Sequence, residues 1–258
     1  MYNRNFLKYF QINKLLLQFS GVLPFLSCGF LVNGIFIVMP ISTCLFLSLP
    51  GFYVMISRLK ITAAMEMLDT FCELIEFLVV SFQVLVLLPK RRKIVNLVNL
   101  CNDLWENVKE KEEAQAVMGY ATIALYLTYG FTINVFIALT GLMIQPLFTQ
   151  FVYDANGTMI VSKQLPYSSG IFYENVRIFN IWYILQIPAG LISIIPVIAI
   201  ATAIPFFVFH ACAHFKLLQY QISKLKSENS GHSVEDGTSR STFEEIVGVV
   251  KQHQRVLK

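Results

Sequence analysis

The chain has 258 residues, 55% of them hydrophobic and only 14% charged, with a formal net charge of +4. Soluble domains carry about 25% charged residues, so this composition excludes a water-facing globular surface and indicates an integral membrane protein. The small net charge comes with no basic–aromatic module, which excludes a nucleic-acid partner. Five scattered cysteines (Cys28, Cys44, Cys72, Cys101 and Cys212) form no C-x-x-C pair, so a disulfide framework is not expected.

In chain order, the N-terminal segment holds Arg4, Lys8 and Lys14 spread apart, followed by the leucine-rich LLLQFSGVLP at 15–24. This is not the layout of a cleaved secretory signal, and the first apolar span is expected to be a retained anchor. A helix needs about 20 apolar residues to cross a bilayer. Four stretches qualify: 28–54, 66–89, 118–145 and 178–209. The first contains Pro40 and Pro50, and the fourth Pro188, Pro196 and Pro205. Membrane helices tolerate such prolines because neighbouring groups satisfy the freed carbonyls. The expected fold is therefore all-α: a polytopic bundle forming one transmembrane domain over 1–258. A loop at 146–177 and a tail at 210–258 complete it.

Orientation follows from the basic residues. The N-terminus, the segment after the second span (Lys90, Arg91, Arg92, Lys93, Lys109, Lys111) and the tail hold sixteen of the twenty lysines and arginines. Only Arg58, Lys60, Lys163 and Arg177 fall in the other two loops. These sixteen are expected to face the cytoplasm, so the N-terminus is cytoplasmic and the 146–177 loop extracellular. A glycosylation sequon at Asn156-Gly157-Thr158 falls in that loop, consistent with the same topology. Within the tail, 227–241 reads as a polar linker. Capping-box spacing at Ser241/Glu244 or Thr242/Glu245 and residues at helical spacing from Ile246 on predict a further amphipathic helix. That pattern leads to the expectation that this sequence is a fragment continuing into more helices.

Three constellations are candidates for chemistry. His210 and His214, with Cys212 between them, lie at i and i+4 on one helix face. Zinc needs further ligands. HACAH lacks the glutamate of H-E-x-x-H, and Cys212 points to another face. No metal is expected; the histidines fit a helix leaving the membrane on the cytosolic side, and the helix covering them is expected beyond residue 258. Asp69, Glu73 and Glu76 share a stripe of the second span. They either sit solvated at its outer mouth or line a polar vestibule or ion route. Trp182, Tyr183 and Gln186 share part of the fourth span's outer end, as an interfacial belt or as the wall of an apolar pocket. Phe136, Leu139, Thr140 and Met143 on the third span, with Phe71 and Ile75 on the second, are the facing stripes of such a pocket. No catalytic motif of the G-x-S-x-G, Walker or G-x-G-x-x-G type occurs, so enzyme activity is not expected.

Five stretches carry a family resemblance: LLLQFSGVLP (15–24), KRRKIVNLVNLCNDLW (90–105), LPYSSGIFYENVRIFNIWYILQ (165–186), HACAHFKLLQYQISKL (210–225) and VGVVKQHQRVLK (247–258). In their order and spacing the chain resembles the insect odorant receptors, over the first four spans of that family's seven-helix pattern. The resemblance implies a subunit of a ligand-gated cation channel in the plasma membrane of olfactory sensory neurons. It implies a tetramer formed with a common co-receptor, a volatile apolar odorant bound in the outer half of the bundle, and no cofactor. The facing stripes named above are the residues expected to bind it. A gustatory-type chemoreceptor is the near alternative. A secondary transporter is a second one, although no internal repeat relates the first two spans to the next two.

Overall fold

The structure, a computed structural model, describes residues 3–25, 29–57, 64–108, 111–148, 150–153, 159–167, 172–173 and 176–231. In order come α1 (Arg4–Phe19), α2 (Phe30–Ser57), α3 (Ala64–Leu87), α4 (Arg91–Asn107) and α5 (Lys111–Ile144). A 3-10 turn (Gln145–Leu147) leads to β1 (Gln150–Tyr153), β2 (Met159–Gln164) and β3 (Phe172–Tyr173), and α6 (Val176–Gly231) closes the described chain. Four helices contain stretches long and apolar enough to cross a membrane: Phe30–Tyr53, Thr70–Leu87, Lys111–Leu147 and Arg177–Lys224. The all-α membrane bundle expected from composition is therefore present. Large apolar residues such as Phe30, at 92% exposure, and Leu31, at 81%, stand open on α2, as suits a surface solvated by lipid.

Two features were not expected. The loop after α5 contains a small antiparallel sheet in the order β1-β2-β3, with Phe151 opposite Val161 and Lys163 opposite Tyr173. The basic stretch after α3 is a helix, α4. The 56 residues of α6 are more than twice the roughly 20 a span requires, so this helix extends beyond the bilayer. Its last turn covers Ser227–Gly231, which corrects the start of the expected linker. The remaining linker and the amphipathic stretch after Ser241 lie outside the described residues.

The contacts divide the chain into two compact units. One comprises residues 1–12, 93–129 and 202–258. Its core is aromatic. Phe6 and Phe10 stack with centroids 5.0 Å apart, Phe10 lies 4.9 Å from Phe206, and Tyr9 stacks on Trp105 at 5.5 Å. His210 sits among these rings, 4.0 Å from Phe206 and 6.0 Å from Phe6. The Trp105 indole N–H donates to His210 Nε2 at 3.4 Å, and His210 Nδ1 lies 3.0 Å from the Phe206 carbonyl. Both bonds are satisfied together by one neutral tautomer, with the proton on Nδ1. The cover of His210 is thus supplied by α1 and α4, where a later helix was expected. The sequence reading missed this because α1 and α4 are too short or too polar to register as spans. Among the described residues no group of three or more metal-ligating side chains forms; Cys212 is exposed while His210 and His214 are buried. At the edge of this unit, Gln221 Nε2 donates to buried Glu113 at 3.1 Å, and the Tyr220 hydroxyl donates to Glu112. Cys101, in the same core, has its thiol pushed up to about 12 by burial.

The other unit comprises residues 13–92 and 130–201. Here α1 ends at a glycine. Gly21 has φ +75°, its N–H reaches the Gln18 carbonyl at 3.0 Å, and the Leu23 N–H reaches Leu17 at 2.8 Å. A left-handed glycine just past the last turn is a standard helix stop. It is also required sterically, because a Cβ at Gly21 would stand 2.7 Å from the Phe36 carbonyl oxygen. Asn33 then clasps the Phe25 backbone, accepting from its N–H at 2.8 Å and donating to its carbonyl at 3.3 Å. Phe19, Phe25 and Phe36 close this corner as a ring triad. Within α2, Thr43 Oγ1 donates to the Met39 and Pro40 carbonyls and Ser42 Oγ to Met39, so hydroxyls serve the backbone beside the helix-interior proline. Beyond it α2 packs on α3, where Gly51 leaves room for Leu74 and Thr70.

Candidate ligand-binding site

Within the second unit, four helices and a loop contribute to one buried apolar cluster. It contains Cys44 and Leu47 of α2, Phe77 and Val80 of α3, Leu139 and Met143 of α5, Tyr167 of the loop, and Ala189 of α6. Partly buried Phe46, Leu142, Ile187, Ile194 and Val197 pack against it. The loop enters through Leu165, Pro166 and Tyr167, all buried. The Tyr167 ring meets Phe77 edge-on at 5.6 Å.

Polar groups are few, and each holds a specific partner. Gln186 is fully buried, and its Oε1 accepts from the Tyr167 N–H at 3.4 Å. The Tyr183 hydroxyl donates to the Met143 carbonyl at 2.7 Å, and the Tyr183 ring stacks on Phe179. Trp182 stacks on Phe46 with centroids 5.4 Å apart. Gly190 sits where Met143 and Tyr167 converge: a Cβ there would stand 2.7 Å from Met143 Cε and 2.8 Å from the Tyr167 hydroxyl and ring. Burial raises the pKa of the Tyr167 phenol, and the Glu76 and Glu73 carboxylates push it further up, so this hydroxyl stays neutral. Of the acidic stripe, Glu73 is half-buried and Glu76 exposed; the Asp69 side chain lies outside the described residues.

The nine residues expected to line a pocket divide into two groups. Leu139, Met143, Trp182, Tyr183 and Gln186 are brought together around this cluster. Phe71, Ile75, Phe136 and Thr140 point outward, with Phe71 at 46% exposure and Phe136 at 40%. On α3 the inward stripe is Thr70, Leu74, Phe77, Val80 and Val84, one position off the stripe chosen from sequence. On α5, Thr140 lies about 100° round the helix from Leu139, and its hydroxyl donates to its own turn at Phe136. Phe136 and Thr140 instead line a shallow groove with Ile133 and Ile137. Asn156 lies outside the described residues. The sequence reading missed Tyr167, Phe46, Phe77 and Gly190. The Leu165-Pro166 pair just before Tyr167 was the available signal for a loop that turns inward.

Comparison with known proteins bears on what this arrangement serves. The profile of the 7tm Odorant receptor family matches residues 63–258. The chain belongs to the odorant receptor family. Four of the five stretches that carried the resemblance lie inside the matched region. No curated protein matches the sequence. As an odorant receptor the chain is a membrane-embedded chemoreceptor whose ligands are odorants, and the family is not a known enzyme family.

Proposed function

We propose that this odorant receptor binds a volatile, largely apolar odorant at the cluster around Met143, Tyr167 and Gly190. Binding gates a cation channel formed with a co-receptor in a hetero-tetramer. In this reading the N-terminus is cytoplasmic, and the protein works in the plasma membrane of olfactory sensory neurons. The observation that carries the proposal is the composition of the cluster. Its walls are apolar and aromatic, and the few polar groups (Gln186, Tyr183 and the Tyr167 hydroxyl) are held by packing or hydrogen bonds. Ligand sites for small apolar molecules have this make-up. Leu139, Met143 and Trp182 supply contact area, and Gln186 and Tyr183 fix the loop and α5 around it. An odorant shifts the closed–open equilibrium only by its preference for one state, so a ligand that wedges Met143 from Gly190 in the open state acts as an agonist.

The test is odorant-evoked current in cells that express the receptor with the co-receptor. Met143→Ala and Leu139→Ala are expected to change the rank order of agonists, because one methylene in an apolar pocket is worth about 1–3 kcal/mol. Exposed-face substitutions at Ile133 and Ile137 leave that order intact. An unchanged rank order for Met143→Ala and Leu139→Ala, with currents retained, would place the ligand elsewhere.

A further inference from the structure

The elbow between α3 and α4 carries charge that no acidic side chain among the described residues neutralises. The membrane-crossing stretch of α3 ends at Leu87, and Lys90, Arg91 and Arg92 follow within five residues. The Lys90 N–H bonds the Leu87 carbonyl at 3.0 Å and the Arg91 N–H bonds Leu88 at 3.2 Å, so these cations are held at the end of the span. Lys90 and Arg92 are exposed. Arg91 is half-buried; its Nε and Nη2 are shielded from solvent and have no hydrogen-bond partner among the described residues. Residue 91 also begins α4, a helix of 17 residues with no acidic side chain in its first turn. The first-turn N–H groups that follow Arg91 and the positive dipole end add to the three cations.

We propose that this elbow binds the phosphorylated headgroup of a phosphoinositide in the cytoplasmic leaflet. Three cations and a helix N-terminus match a headgroup of several negative charges better than a singly charged diester. Basic residues immediately next to a membrane helix are the usual site for such lipids, and the planar guanidinium of Arg91 suits a phosphate monoester. The proposal rests on the cytoplasmic orientation proposed above, but not on the location of the odorant site.

Native mass spectrometry of the purified receptor in neutral detergent tests it, with phosphatidylinositol 4,5-bisphosphate titrated against phosphatidylcholine. The phosphoinositide is expected to bind preferentially. Each cation contributes about fivefold, so Lys90→Gln/Arg91→Gln/Arg92→Gln loses roughly a hundredfold. A charge-matched control, Lys8→Gln/Lys111→Gln/Lys216→Gln, is expected to lose little. Arg91→Lys, which keeps the charge and the helix, isolates the fork and is expected to lose severalfold with an unchanged circular dichroism spectrum. Equal loss in the two triple variants, no preference over phosphatidylcholine, or full affinity in Arg91→Lys overturns the site. Equal affinity for soluble inositol 1,4,5-trisphosphate overturns a membrane source for the phosphate. Finally, Lys90→Cys is expected to react with an impermeant maleimide only after cells are permeabilised. Reaction in intact cells overturns the orientation, and with it this proposal, while leaving the odorant site untouched.

Discussion

The Trp105 indole N–H points at His210 Nε2 from 3.4 Å, joining residues 105 positions apart in the sequence. The opposite ring nitrogen is occupied by the Phe206 carbonyl one turn back on α6, so Trp105 supplies the partner for the remaining nitrogen. Trp105→Phe keeps most of the ring packing and leaves a buried acceptor without its donor, which costs about 1–3 kcal/mol. His210→Phe in that background removes the stranded acceptor and is expected to recover part of the loss. Thermal unfolding of the four members of this cycle in detergent reads the coupling directly.

Gly190→Ala sets two effects against each other. Alanine gains about 1 kcal/mol of helix propensity, while crowding a packed interior costs about 1–3 kcal/mol. With Met143 and the Tyr167 ring both inside 3 Å of the added methyl, crowding wins, and a net loss on the order of 1 kcal/mol is expected. Shortening Met143 to alanine frees one of the two contacts, so the double variant should lose less than the sum of the singles. Strict additivity in the melting temperatures would mean that the two positions do not meet.

Gly21→Ala has no such offset. A left-handed backbone costs a side-chain-bearing residue about 1–2 kcal/mol, and the new methyl meets the rigid Phe36 carbonyl rather than a flexible side-chain tip. A loss above about 2 kcal/mol is expected, visible as reduced surface expression and a lowered melting temperature.

Cys101 gives a pH-linked test. Burial raises its thiol to about 12 from the ordinary 9.0, so the neutral form is favoured in the folded protein. Because the folded value is the higher one, this contribution is complete below pH 9 and is lost as pH rises through about 12. At pH 8 a shift of this size cuts the thiolate fraction on the order of a thousandfold. Peptide mapping after brief maleimide treatment should find Cys101 unmodified in folded receptor and modified after denaturation. Rapid labelling of folded receptor at Cys101 would contradict its burial.

The bundle was legible because crossing lipid imposes one strong demand, a run of about 20 apolar residues. Each of the four spans satisfied it. What lay outside that demand was harder to read. The helices α1 and α4 bury stripes such as Phe6, Phe10, Val98 and Trp105 but are too short or too polar to stand out beside the spans. The facing of the spans was hardest. A helix that is apolar on every side gives no contrast between lipid and protein, so Leu74 and Phe77 could not be told from Phe71 and Ile75. On α6 the polar Gln186 did mark the inner face, since a primary amide in lipid needs a partner. Tyr167 was hidden for another reason: its burial depends on a loop folding inward.

The corner formed by Gly21, Asn33 and the Phe19–Phe25–Phe36 triad has a consequence for biosynthesis. All of its contacts lie between neighbours in the sequence, so they can form as soon as the segment up to Phe36 has been made. Loops this short close quickly and at little entropic cost. The nascent chain can therefore fix how it enters its first hydrophobic helix before any later helix exists, and each later helix meets a partner already set in place.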